Sequence, residues 1–260
     1  MFFDLCKNSQ KPKLEAHSKM NYLLKYHHDC MREKVVPLPI LFKVRNKRLA
    51  LKGYRLNEGL CESLKHAFAI YPELLTGITL HDNGIADQDL GKIFQGLGSL
   101  EIVKEISVAN NIFQFEAFEH LRPILHRVVP HNLEELRLIS IRTGPLVTGQ
   151  ITRALAEGCH LRKLSLVNAH LSDTNMRELC DIIKHARFLV ELDISANKMT
   201  PQRMLDLTRV LAANRQLNII NLSWNFFTQY LPMRDYIQGV DGELLHNEQE
   251  YVPEKDKIIN

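Results

Sequence analysis

The residue types that carry chemistry are few in this chain, and they are scattered. His27, His28 and Cys30 stand close enough together to raise a metal site. A zinc site needs a second pair of ligands at similar spacing. None accompanies these three, so a surface histidine pair and a buried thiol are expected. His81 and Asp82 are adjacent, and a histidine beside a carboxylate is two-thirds of a nucleophilic triad. It also needs a nucleophile, and two solvated polar residues are expected instead. Gly96-Leu97-Gly98 is a fragment of a glycine-rich loop without the lysine and hydroxyl of a phosphate-binding loop. It follows a helical pattern, so a helix C-cap is the expected role. The G-x-S-x-G and H-E-x-x-H patterns do not occur. The expectation is a protein that is not an enzyme, with no cofactor, no metal and no small-molecule substrate.

Charge is more telling by position than in total. The net charge is +3, too small to demand a polyanionic partner. Residues 1–48 hold 11 Lys and Arg against 4 Asp and Glu, or +7, and residues 228–260 hold 3 against 7, or −4. A basic head and an acidic tail thus flank a neutral body. The basic lysines are scattered and lack interleaved stacking aromatics, so nucleic-acid binding is not expected. Five cysteines, Cys6, Cys30, Cys61, Cys159 and Cys180, form no disulfide framework, which favours reduced thiols and an intracellular setting. The start of the chain lacks a secretory apolar region. No run reaches the ~18 apolar residues of a membrane span, so membrane insertion is not expected.

What must position any functional residue is a repeat. Leu189, Leu192, Ile194, Asn197 and Met199 fit the template L-x-x-L-x-L-x-x-N-x-L. The same template aligns Leu75–Ile85, Val103–Phe113, Leu133–Thr143, Leu161–Leu171 and Leu217–Phe227, with a degenerate first unit at Asn46, Leu49, Leu51, Tyr54 and Leu56. Start-to-start spacings are 29, 28, 30, 28, 28 and 28 residues. Between the stretches the apolar period turns helical. Leu90, Ile93, Phe94 and Leu97 follow one, and Met176, Leu179, Cys180 and Ile183 another. Thr200 and Pro201 read as N-cap and first helical residue. Each unit is therefore a strand, a turn and a helix of roughly three turns. Stacked units share one core. Strands ~4.8 Å apart opposite helices ~10 Å wide force a curve with the strands inside. The asparagine slot, at Asn83, Asn111, Asn197 and Asn225, should hydrogen-bond turn backbone. Tyr54, Ile141 and Ala169 interrupt it, so local stability should dip in units four and five.

These features resemble the ribonuclease-inhibitor-like class of leucine-rich repeats, over about residues 49–227. The resemblance implies an α/β fold: a leucine-rich repeat solenoid, a right-handed βα horseshoe of about seven repeats of 28–30 residues, with a parallel sheet on the concave face. It also implies a surface used to hold another protein. Upstream, Tyr26, Cys30 and Val36-Pro37-Leu38-Pro39 resemble the leader of some centrosomal and axonemal repeat proteins. The expected organisation is a basic flexible arm over 1–20, a helical N-terminal cap over 21–45, the solenoid over 46–227, a C-terminal cap over 228–240 and an acidic tail over 241–260. Leu23, Tyr26, Cys30 and Met31 should share the buried face of the cap helix.

The residues between the leucines form the inner face. The candidate protein-binding residues there are His81, Asp82, Lys104, Glu105, Glu135, Arg137, Arg162, Lys163, Glu191, Asp193, Asn221 and Trp224. Glu134-Glu135 lies one unit from Arg162-Lys163, so cross-strand pairing competes there with a ligand contact. Trp224, the one tryptophan, is either an interface anchor or packed under a C-terminal cap around Met233 to Tyr236. The functional expectation is a protein-protein interaction scaffold, binding one or more proteins within a larger complex. Its place would be cytoplasmic, in a ciliary, axonemal or centrosomal assembly. The alternative is a GTPase-activating repeat protein, because one family of this repeat class also carries an acidic tail.

Overall fold

The computed structural model describes residues 23–38, 44–70, 75–100, 102–125, 133–141, 149–150, 153, 160–171, 173–185, 188–197 and 199–225. The expected arm, C-terminal cap and acidic tail lie outside the described residues. Eight strands form one sheet in chain order: β1 (Val44–Arg45), β2 (Arg48–Lys52), β3 (Gly77–His81), β4 (Glu105–Ala109), β5 (Glu135–Ile139), β6 (Lys163–Val167), β7 (Glu191–Asp193) and β8 (Ile219–Asn221). β1 pairs antiparallel with β2, and every later pair is parallel. The helices are α1 (residues 23–32), α2 (Glu58–Ile70), α3 (Asp87–Gly98), α4 (Phe115–Leu125), α5 (Asp173–His185) and α6 (Pro201–Ala213). Residues 149, 150 and 153, between β5 and β6, are also helical.

The register explains the order. A near-constant repeat returns the same template position to the same height on each strand, and a helical crossover returns the chain in the same direction. Leu49, Ile78, Ile106, Leu136, Leu164, Leu192 and Ile220 therefore line up in one row. Leu51, Leu80, Val108, Leu138 and Leu166 form the next. Both rows join the helical residues Leu64, Phe94, Leu121, Leu179 and Leu207 in one core. Cutting one such buried leucine to alanine costs about 2–5 kcal/mol. The helices cover one face of the sheet and leave the other open.

The asparagine slots hold neighbouring units together. Asn197 donates from Nδ2 to the carbonyls of Leu166, Ile194 and Ser195, and its Oδ1 accepts from the Ala169 and Leu171 amides. Asn225 accepts from the Asn197 and Met199 amides in the same way, and Asn111 from Ile85. Each asparagine thus serves the turn of the preceding unit. Asn197 supplies the turn at Ala169 from outside, whereas Ile141 and Ala169 have no such group to offer the units before them.

Three local expectations change. Met31 is 71% exposed, while Tyr26, Cys30 and Asp29 are buried. One residue past Cys30 rotates Met31 about 100° off that face. Gly96 and Gly98 do not form a left-handed cap, since neither has a positive φ. The C-cap is Ser99, whose amide donates to the Gly96 carbonyl, while the Leu100 amide donates to that of Leu97. Gly96 instead marks where α3 approaches α2, because a Cβ there would stand 2.8 Å from the Lys65 Cα. Finally, Asn46 is a turn residue. Asn46 and Lys47, both with positive φ, close the β1–β2 hairpin. Two successive positive-φ residues give the turn whose twist suits a tight hairpin.

Candidate functional site

The open face is built by alternation along each strand. One row across it reads Arg48, Gly77, Glu105, Glu135, Lys163, Glu191, Ile219. The next reads Ala50, Thr79, Ser107, Arg137, Ser165, Asp193, Asn221. The third reads Lys52, His81, Ala109, Ile139, Val167. The face is charged at one edge and turns apolar in the third row from β4 onward.

Cross-strand pairing organises the charges, with partners other than those expected. Lys104 binds Glu134 at 2.5 Å and Lys163 binds Glu191 at 2.7 Å. Glu135 is engaged by Arg137 of its own strand. Arg48 reaches over β3 to Glu105. That reach depends on Gly77, whose missing side chain leaves the gap; a Cβ there would sit 3.2 Å from Glu105 Cβ and 3.3 Å from Arg48 Cγ. Lys163 and Glu135 face each other in register. The hydrogen bond and charge of Glu191 hold the Lys163 ammonium above its ordinary range, and Glu135 adds a smaller push. Arg162 is exposed beside them. Exposed pairs of this kind contribute about 0–1 kcal/mol each to stability. Their effect is to hold long side chains in defined places.

Between β2 and β5 the face carries a cavity of about 360 Å³. Its floor is Gly77, Thr79 and Ser107, and its walls are Arg48 and Lys52 on one side and Glu135 and Arg137 on the other. His81 lies at one end, half-buried, with Nε2 2.8 Å from Ser107 Oγ. Desolvation pushes the His81 pKa below its ordinary value, Lys52 and Arg137 push the same way, and Asp82 opposes them. His81 is therefore neutral at pH 7. Asp82 turns to the neighbouring unit, where its Oδ1 accepts from Asn110 Nδ2 at 2.6 Å.

The residue before each asparagine slot has a left-handed backbone: Asp82, Asn110, Ser140, Asn168, Ala196 and Trp224. This conformation aims each amide at the next unit. Asp82, Asn110, Ser140, Asn168 and Ala196 donate to the Ala109, Ile139, Val167, Ser195 and Ser223 carbonyls. Trp224 is the bulky exception among residues that tolerate the conformation. It is 86% exposed. Met233 to Tyr236 lie outside the described residues. Asp193 and Asn221 hold the last turns, each accepting from the amide and hydroxyl two residues on, and Asn221 Nδ2 donates to Asp193 Oδ2 at 3.1 Å.

No family model matches the chain. Over 166 residues, 64% of its length, it is 25% identical to NACHT, LRR and PYD domains-containing protein 9 of Bos taurus, of which it spans 16%. Over 112 residues, 42% of its length, it is 35% identical to Tonsoku-like protein of Bos taurus, of which it spans 8%. The chain is distantly similar to a leucine-rich repeat protein. With the mixed, mostly parallel sheet, this points to a repeat protein with a role in protein interaction.

Arg48 and Lys52 escaped the reading of the sequence because the first unit is degenerate. The signal was present: Leu49 and Leu51 sit 29 residues before Ile78 and Leu80. That spacing places Arg48, Ala50 and Lys52 on the inner face. His27 and His28 are exposed while Cys30 is fully buried, so the three do not converge. Among the described residues no helix is long and apolar enough to cross a membrane.

Proposed function

We propose that the chain is a non-enzymatic protein-interaction scaffold that grips its partner with the open face of its sheet. The observation that carries this reading is the asymmetry of the sheet. One face packs against helices, and the other is a mostly polar surface of side chains ordered by ion pairs. Rigid strands hold those side chains, which lowers the entropy a partner must overcome. In this reading about seven units of 28–30 residues curve into a horseshoe with the sheet on the concave side, and the charged extensions add contacts in a larger cytoplasmic assembly, of the ciliary or centrosomal kind. Partners are proteins, with neither nucleic acid nor a small-molecule substrate among them.

The Ser107–His81 contact does not make a hydrolase in this reading. An oxyanion hole needs spare amide donors. The amides around Ser107 are committed to a strand paired on both sides. The GTPase-activating alternative rests on the acidic tail, which lies outside the described residues, and no feature of the open face favours it. Native cross-linking tests the proposal. Lys104 and Lys163 should be joined to another protein, and cross-links confined to residues 1–48 and 228–260 would overturn the role of the open face.

A further inference from the structure

We infer that the cavity between β2 and β5 is the anchoring pocket of the open face, and that it receives an acidic side chain, the carboxylate of an Asp or Glu on an extended segment of a partner protein. The inference rests on the open face being the binding surface and adds what that surface selects.

The shape comes first. Gly77, Thr79 and Ser107 give β3 and β4 a floor of short side chains, between long ones on β2 and β5. The result is a dent between strands about 14 Å apart at ordinary strand spacing, wide enough for one side chain and the backbone that delivers it. Charge then sets the ligand. Arg48, Lys52 and Arg137 line the dent against Glu105 and Glu135, so with His81 neutral it is net positive. The two carboxylates share the row at one end and are already engaged by Arg48 and Arg137. The other end presents Lys52 and His81, with the Thr79 and Ser107 hydroxyls between. Among the described residues Lys52 makes no ion pair. An incoming carboxylate finds the Lys52 ammonium and the Thr79 hydroxyl there, and the ammonium disfavours a cation.

His81 couples the pocket to pH. The groups facing it are Lys52 from β2, Ser107 from β4, Arg137 from β5 and its neighbour Asp82, with Glu105 and Glu135 at the far end. When His81 is protonated, Nε2 donates to Ser107 Oγ. The Ser107 hydroxyl proton then turns outward to the ligand, and the imidazolium adds charge. Because the His81 pKa lies below the ordinary histidine range, binding tightens as pH falls beneath that range. Partner carboxylates remain ionised until about pH 4–5. Next to His81 the row turns apolar at Ala109, Ile139 and Val167. Ile139 and Val167 lie about 10–14 Å from His81 at strand spacing, the reach of three or four extended residues. The preferred segment thus carries an acidic residue with an apolar one three or four positions away.

Selection of a displayed random-peptide library on the full chain tests this. Enriched peptides should carry that pair, and replacing the acidic residue by its amide should weaken binding about tenfold or more. Lys52→Glu and Thr79→Glu, which put a resident carboxylate at the site, should lose the same peptides, while Arg153→Glu away from the pocket should keep them. Circular dichroism of each variant verifies folding. Peptide affinity should rise from pH 7 to pH 5 in the parent chain and stay flat in His81→Gln. No acidic enrichment, or the same peptides recovered on Lys52→Glu and Thr79→Glu, overturns the inference. So does displacement of the peptides by inorganic phosphate at matched ionic strength, which would make the pocket a free-anion site. If Lys104 and Lys163 still cross-link to a partner when the peptide test fails, the open face stands and only its selectivity is wrong.

Discussion

Asn197 shows how much one side chain can commit to a fold. Its amide makes five hydrogen bonds to backbone groups spread over two units. Leucine at this position would leave those buried groups unpaired, and the loss should be about 1–3 kcal/mol. A thermal or urea melt of Asn197→Leu measures it, and an unchanged midpoint would remove the ladder from the account of stability. The slot was legible because asparagine recurs in it. That each asparagine serves the preceding turn was not, because it depends on how units stack. Cys61 is the second residue-scale case. Its thiol is fully buried, and desolvation, with Asp89 adding to it, pushes its pKa up to about 12. The thiolate is the reactive form, so iodoacetamide should label Cys61 only after denaturation, as peptide mapping would reveal. The sign of the linked stability follows. The raised pKa adds stability below about pH 9, the unfolded value, and that stability is lost as pH rises from there toward 12.

At the scale of elements, two glycines of one helix should respond in opposite directions. Both gain helix propensity on becoming alanine, up to about 1 kcal/mol. At Gly98 the new methyl group meets nothing within 4 Å, so Gly98→Ala should be neutral or slightly stabilising. At Gly96 it would meet the Lys65 Cα at 2.8 Å and the Lys65 carbonyl at 3.0 Å. Backbone cannot swing aside as a side chain can. Gly96→Ala must therefore push α3 off α2, at a cost of about 1–3 kcal/mol that exceeds the propensity gain. Paired denaturation curves decide it, and equal midpoints for the two variants would contradict the close approach. The helices were legible from their apolar period, with α3 and α5 burying the residues named for them. The role of Gly96 was not, since a glycine near a helix end reads as a cap until the neighbouring helix is in place. The β1–β2 hairpin was hidden for a related reason. Val44–Arg45 is too short to show a period, and Asn46 fits the repeat template by coincidence of position.

For the whole unit, the repeat made the α/β architecture legible, and its degenerate first copy hid the pocket. Regularity reports what faces the core, whereas selectivity lies in the departures, such as Gly77 between Arg48 and Glu105. The same one-dimensional construction makes stability local, because each unit contacts only its neighbours. The two ends of the described sheet are unequal. At one end β1 pairs with β2 and covers its edge, and Leu49 and Leu51 are fully buried. At the other, Leu217, Ile220 and Leu222 are only partly buried and Ile219 is 55% exposed. β7 and β8 also span three residues each, where β2 to β6 span five. Local opening should therefore begin at β8 and spread toward β6. Hydrogen exchange followed by mass spectrometry should find protection highest in β3 and β4 and falling toward β8. Asn197→Leu should deepen that fall without reaching β3. Uniform protection from β2 to β8, or a loss in the variant that extends evenly through the sheet, would mean that the units open together as one cooperative body.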